Sequence, residues 1–199
     1  KESIENGTPI VMFDRVAKSI ECDKVVTDDL NSAASTVEFL YKKGHKKIAF
    51  ISTISDLHIG EQRLLGYKKG LEKVGLPFDE NLVLNILERD YKKYVKQVKP
   101  FVKDTEIDAV ITTGESVAVS TMKAIKKSGK KIPKDVAVIA FSNGILSRHS
   151  SPKMTTISQH GEQMGATAAE ILIDKLKNKN TDIVTKVIKT DIVIRDSTR

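Results

Sequence analysis

The chain holds one cysteine, Cys22, in 199 residues, so no disulfide can close within it. That usage fits a reducing compartment. No apolar run approaches the ~18–20 residues that span a bilayer, so no membrane association is expected. Enzyme signatures are equally scarce. There is no Gly-x-x-x-x-Gly-Lys-Ser/Thr loop, no Gly-x-Gly-x-x-Gly after a strand and no Gly-x-Ser-x-Gly elbow. His45, His58, His149 and His160 show no metal-ligand spacing with Cys22, so neither a metal nor another cofactor is expected. Catalytic sets assemble in space, so missing motifs argue against an enzyme without excluding one. Nucleic-acid signatures are missing as well. The formal net charge is +7, but there is no helix-turn-helix, zinc finger or aromatic-interleaved basic strip. The lysines recur in pairs at helix ends, as at Lys42-Lys43, Lys68-Lys69 and Lys126-Lys127, where solvated helix faces explain them.

What is present is a globular composition, 40% hydrophobic and 30% charged, long enough for one domain or two small lobes. Strand and helix patterns alternate throughout. Strands are expected at 10–13, 24–27, 47–51, 82–87, 108–113 and 136–141, with a last strand pair or one bent strand at 186–195. Helices are expected after Asp28-Asp29, at about 62–74, from Tyr91, at 116–128 and from Gly161. Either Asp28 or Asp29 can cap the first helix; Gly44 and Gly75 end the first two. Pro100 is expected to kink or end the helix that Asp90 caps. Parallel strands joined by right-handed helical crossovers make a doubly wound sheet.

The stretch from Val136 to Gly165 organises the rest. The apolar run VAVIAF stops at Ser142-Asn143, and ligands of open α/β sheets sit outside the carboxyl ends of the strands. Arg63 follows another strand end; its planar fork clamps vicinal hydroxyls or a carboxylate, or else packs as a surface arginine. Asp14 ends a buried strand, where it accepts hydroxyl hydrogen bonds or caps a turn. Tyr91 offers an aromatic face for a sugar or a base, or a core tyrosine. Glu115 stands at a helix N-terminus, where a carboxylate is favoured with or without a ligand.

Several motifs in register resemble the lactose/galactose-repressor family of transcription regulators. They are FDR at 13–15, VTDDLNSAA at 26–34, GHKKIAFIS at 44–52, RLLGYKKGL at 63–71, PKMTTISQ before MGATAAEILIDKL, and the ending TDIVIRDSTR. The resemblance covers nearly the whole chain. It implies an α/β, two-lobed, periplasmic-binding-protein-like fold with mostly parallel sheets and an incomplete first lobe. Residues 1–53 plus 160–178 would form the N-terminal lobe, and 54–159 plus 179–199 the C-terminal lobe. The DNA-binding head would precede residue 1, and KESIENG reads as the middle of a longer protein. By that comparison Arg63 and Asp14 contact a small-molecule effector in the interlobe cleft, with His58 and Gln159 lining it. Operator DNA would be bound only through the missing head. A cytoplasmic homodimer is implied, with Val117, Val119, Met122 and the loop 145–152 at its interface.

Two departures bear on the effector. Gly114-Glu115 stands where relatives carry Asn-Asp, and Ser142-Asn143 where they carry Asp-Asp. Fewer carboxylates make a sugar phosphate beside Arg63 easier to accommodate than in relatives. The competing readings are a transport-type periplasmic sugar-binding protein, which shares the fold, and a repressor core answering to a protein partner.

Overall fold

The computed structural model describes residues 7–17, 19–88, 90–178 and 182–199. Residues 1–6, on which the reading of a mid-protein start rests, lie outside them. In chain order the elements are β1 (Val11–Phe13), β2 (Asp23–Thr27), α1 (Asp29–Lys42), β3 (Ile48–Ser52), α2 (His58–Lys73), β4 (Val83–Asn85), α3 (Tyr94–Asp104), β5 (Ala109–Thr112), α4 (Glu115–Lys127), β6 (Ala137–Phe141), α5 (Ile145–His149), β7 (Thr155–Ser158), α6 (Gly161–Asn178), β8 (Thr185–Ile188) and β9 (Asp191–Val193). Short 3-10 turns precede β4 and α3 and close the chain. The architecture is α/β with mostly parallel sheets, as the alternating pattern implies.

The chain divides into two compact units, one of Lys1–Asp28 with Gln159–Thr190 and a larger one of Asp29–Ser158 with Asp191–Arg199. This corrects the expected boundary at residue 53. β3 pairs in parallel with β4 and β5, so backbone hydrogen bonding commits it to the larger unit. Of the strand pair or single bent strand expected at 186–195, two strands form, and they lie in different sheets. β8 pairs with β2 in the smaller unit, and β9 runs antiparallel to β7 in the larger.

The larger unit carries a six-stranded sheet in the order β4-β3-β5-β6-β7-β9. Strands β3, β5, β6 and β7 are buried along their whole length, the state of a parallel sheet covered on both faces. Alternate residues serve opposite layers. Ala49, Ile51, Val110 and Val138 pack with Val98 and Val102 of α3 and Ile125 of α4. Phe50, Ile111, Ile139 and Phe141 pack with Val37 and Leu40 of α1 and Tyr67 and Leu71 of α2. Tyr67 stacks on Phe50 with centroids 5.3 Å apart and donates its hydroxyl to the Ile48 carbonyl at 2.7 Å. Burial raises the pKa of that phenol.

Helices α1 and α2 lie unusually close. A Cβ on Gly66 would stand 2.1 Å from the Leu30 carbonyl oxygen, and one on Gly70 2.8 Å from that of Ala34. Two glycines four residues apart share a helix face and admit a neighbouring backbone. Pro100 neither ends nor interrupts α3, which runs on to Asp104. The proline is exposed, so its missing amide frees a carbonyl on the solvent side of the helix.

The smaller unit is a three-stranded parallel sheet, β1-β2-β8. Val25 and Ile188 pack against Met164 and Ala168 of α6. The buried Asp23 carboxylate joins the pieces, pairing with Lys175 at 2.9 Å and accepting from the Val184 amide at 2.8 Å. Phe13, Leu176 and Val187 stand exposed.

Candidate functional site

Arg63 anchors a buried polar group of the larger unit. α2 begins at His58, four residues before the expected start at Gln62. Arg63 therefore lies in the second turn of the helix and reaches the carboxyl edge of the sheet. It is 2% exposed. Its Nε donates to Asp29 Oδ1 at 2.7 Å, and one terminal nitrogen donates to the Thr113 carbonyl at 3.2 Å. The guanidinium carbon lies 4.1 Å from the Phe141 ring centroid, within range of a cation–π attraction. Asp29 opens α1, Thr113 follows β5 and Phe141 ends β6. Three separate segments thus converge on the guanidinium that α2 supplies. A buried charge needs such partners, because desolvation of a lone ion costs several kcal/mol. This arrangement can present a fixed fork to a hydroxylated or carboxylated ligand.

The next loops turn out differently from expectation. Glu115 begins α4, but its Oε1 accepts from the amides of Gly144 at 2.6 Å and Ser147 at 3.3 Å. Through that oxygen it caps α5. Asn143 turns its amide oxygen to Arg195 at 2.6 Å and to the Thr156 hydroxyl at 3.3 Å. Arg195 in turn donates to the Met154 carbonyl at 2.8 Å and to Thr156 Oγ1 at 2.9 Å. Burial lowers the Arg195 pKa, nearby Arg148 adds to the effect, and Glu115 opposes it. Ser142, half-buried, donates its amide to the Ile157 carbonyl at 3.1 Å.

His58 opens α2 with Nδ1 3.5 Å from Glu61 Oε2. Tyr91 lies in the 3-10 turn before α3, not in the helix itself, and is 61% exposed. Asp90 does cap that turn, accepting from the Lys92 amide at 3.0 Å. Among the described residues no hydrogen bond or ring contact joins Tyr91 to the Arg63 group. Asp14 and Gln159 belong to the smaller unit. Asp14 follows β1 with φ of 60°, a left-handed conformation that aspartate tolerates better than most side chains.

The expected dimer residues separate by burial. Val117 is 1% exposed and belongs to the core between α4 and the sheet, so it offers no surface to a second chain. Met122 is buried but reaches the floor of a groove of about 500 Å³. Val119, 38% exposed, lines the same groove with Leu146, Lys123 and His149. α5 lies within the segment 145–152 that was expected to be a loop.

Among the described residues no group of three or more His, Cys, Asp or Glu could hold a metal ion. Among the described residues no helix is long and apolar enough to cross a membrane. The sequence reading passed over three members of the Arg63 group. Asp29 stood out only as a helix cap, and Thr113 and Phe141 only as strand ends; no local pattern marks a pairing across 34 residues. Arg195 was hidden in the terminal motif for the same reason.

Residues 37–198 match the family model described as a periplasmic binding protein-like domain. The HTH-type transcriptional regulator CelR of Thermobifida fusca is 28% identical over 171 residues, covering 85% of this chain and 50% of that protein. The HTH-type transcriptional repressor CytR of Escherichia coli (strain K12) is 27% identical over 200 residues, covering 100% of this chain and 58% of the repressor. A solved structure, a transcriptional regulator CelR–cellobiose complex, superposes with a TM-score of 0.90 at 27% identity over 98% of this chain and 60% of that one. The chain thus spans about half the length of the curated relatives it matches, 50% and 58%.

Proposed function

The chain belongs to the periplasmic binding protein-like domain family, in its lactose/galactose-repressor form, and from that premise we propose that it is the effector-sensing and dimerisation core of a cytoplasmic transcription repressor. The ligand is a small hydroxylated molecule, a sugar or sugar phosphate, read at the carboxyl edge of the six-stranded sheet. The observation that carries the reading is Arg63, held buried between Asp29, the Thr113 carbonyl and the Phe141 ring. A side chain so fully constrained is preorganised for a ligand. Asp14, in the left-handed region at the end of β1, is a candidate ligand residue by the family resemblance alone.

Effector binding favours one of two states of the protein by its differential affinity for them. In a homodimer joined through Val119 and the α4–α5 groove, that shift changes how two helix-turn-helix heads engage operator DNA. The relatives are regulators of this type by name, which favours a repressor over a transport protein.

The test is thermal unfolding of the full-length protein against cellobiose, monosaccharides, sugar phosphates and purines. A ligand at about 100 times its Kd adds roughly 2.7 kcal/mol, a rise of several degrees in a protein of this size. The shift should vanish in Arg63→Ala. Because that change also strips Asp29 of its cation, it is compared with the double variant Arg63→Ala/Asp29→Asn. A folded protein that responds to no member of the panel would overturn the effector reading and favour regulation by a protein partner.

A further inference from the structure

The α4–α5 groove carries charge of one sign only, and the inference rests on the homodimer reading above. Val119, Met122, Lys123 and Lys126 of α4 all line it. Their helical spacing puts them on one face, so the apolar contact and the cations cannot be turned to different surfaces. Lys127 and His149 add to the basic lining. Lys123 and Lys127 are exposed, and neither has an ion-pair partner among the described residues. Lys126 donates through Nζ to the Ser151 carbonyl, which ties its charge to the segment after α5. The carbonyl end of α4 offsets part of the charge on Lys126 and Lys127 in its last turn, whereas Lys123 precedes that turn. Among the described residues no Asp or Glu lines the groove. Glu115, the one carboxylate of α4, stands at the far end of the helix, with Oε1 on the Gly144 amide. The charged residues of α5 are Arg148 and His149.

A homodimer closed by a two-fold axis uses the same patch on both copies. The cations of one groove then meet those of the other with no carboxylate to separate them. Apolar burial at Val119, Met122 and Leu146 draws the copies together, while like charges repel more strongly as water leaves the contact. A dianionic oxyanion resolves that conflict, because each lysine donates a charge-assisted hydrogen bond to it. We propose that the α4–α5 groove is an oxyanion site of the dimer seam: free dianions of the phosphate class bind at Lys123 and Lys127 as two copies close, and self-association rises with their concentration. By linkage, the factor by which the anion tightens the dimer is the factor by which dimerisation tightens the anion.

The experiment is analytical ultracentrifugation of the full-length protein at one pH, in sodium chloride and in sodium phosphate of matched ionic strength. Matching removes general screening, which both salts supply alike. The wild-type dimer should be tighter in phosphate by about tenfold or more. The double variant Lys123→Gln/Lys127→Gln, changed only at exposed positions, should dimerise in chloride more tightly than the wild type and lose the difference between the two salts. Equal wild-type dimer constants in the two salts would overturn the proposal. So would a double variant that keeps the phosphate response, or one that associates more weakly than the wild type in chloride. A dimer weakened by Val119→Asp but indifferent to phosphate would sink this proposal and leave the homodimer reading standing. A protein that stays monomeric in both salts, as wild type and as double variant, would sink both.

Discussion

Glu115 Oε1 lies 2.6 Å from the amide of Gly144, so the first residue of one helix caps the start of another 29 residues on. The bond ties α4 to α5, the two helices that line the α4–α5 groove. Truncation of a capping carboxylate costs about 1 kcal/mol, or roughly 2–4 °C in a chain of this length. Glu115→Ala should show that loss in thermal unfolding with effector affinity unchanged. The opposite pattern, an unmoved midpoint and a weakened ligand, would return Glu115 to the ligand contacts that its sequence position suggested.

The approach of α1 to α2 makes two glycine substitutions diverge. Gly66→Ala would drive a methyl group to 2.1 Å from the Leu30 carbonyl oxygen and 2.8 Å from Ala33 Cβ. Backbone on both sides must shift, at about 1–3 kcal/mol or more. Gly165→Ala, in α6, meets nothing within 4 Å, and helix propensity there should contribute roughly 0.5–1 kcal/mol of stability. Chemical denaturation of the two variants should move their midpoints in opposite directions. Destabilisation by both would mean that the glycines serve backbone freedom and not helix packing.

What the sequence showed and hid divides along the range of the interaction. β3 and β6 are apolar runs bounded by polar residues, and their burial on both faces was legible. So were helix ends such as Gly44, with φ of 97° and its amide on the Tyr41 carbonyl. The unit boundary was not legible, because only pairing with β5 assigns β3 to the larger sheet. Arg63 was legible as a motif residue, whereas its partner Asp29 read as a cap, since a carboxylate at a helix start satisfies both descriptions. Asn143 and Glu115 are ambiguous in the same way: each stands at a strand or helix end where ligands bind, and each also has a distant protein partner that no local pattern marks. The Gly66-x-x-x-Gly70 spacing marks the helix face that admits the α1 backbone.

Val119 tests the proposed dimer. It is exposed on the groove where Val117, two residues earlier, is buried. Val119→Asp should weaken self-association by about tenfold or more, by placing a charge in an apolar contact, while leaving the fold intact. Val117→Asp should unfold the larger unit instead, because it buries an unpaired carboxylate. Sedimentation velocity reads the first effect and circular dichroism the second. An unchanged association constant for folded Val119→Asp would move the dimer contact off α4.

His45 gives the chain a pH dependence with a defined sign. Its Nδ1 lies 3.7 Å from Asp108 Oδ1. Burial lowers its pKa from 6.5 and outweighs the pull of the Asp108 carboxylate; Lys43 adds a smaller push in the lowering direction. Asp108 is itself held, its other oxygen accepting from the Lys46 and Lys47 amides at 2.8 and 3.0 Å. The unfolded chain therefore takes up a proton near pH 6.5, whereas the folded chain takes it up only at lower pH. In that window the unfolded state holds more protons, so stability rises with pH up to the unfolded value and gains nothing further from His45 above it. Denaturant midpoints measured from about pH 7.5 down to about pH 5.5 should fall more steeply in the wild type than in His45→Asn. The difference between the two curves should be constant above the window. A wild-type curve that falls less steeply than the variant's would mean that the Asp108 pairing, and not burial, governs the imidazole.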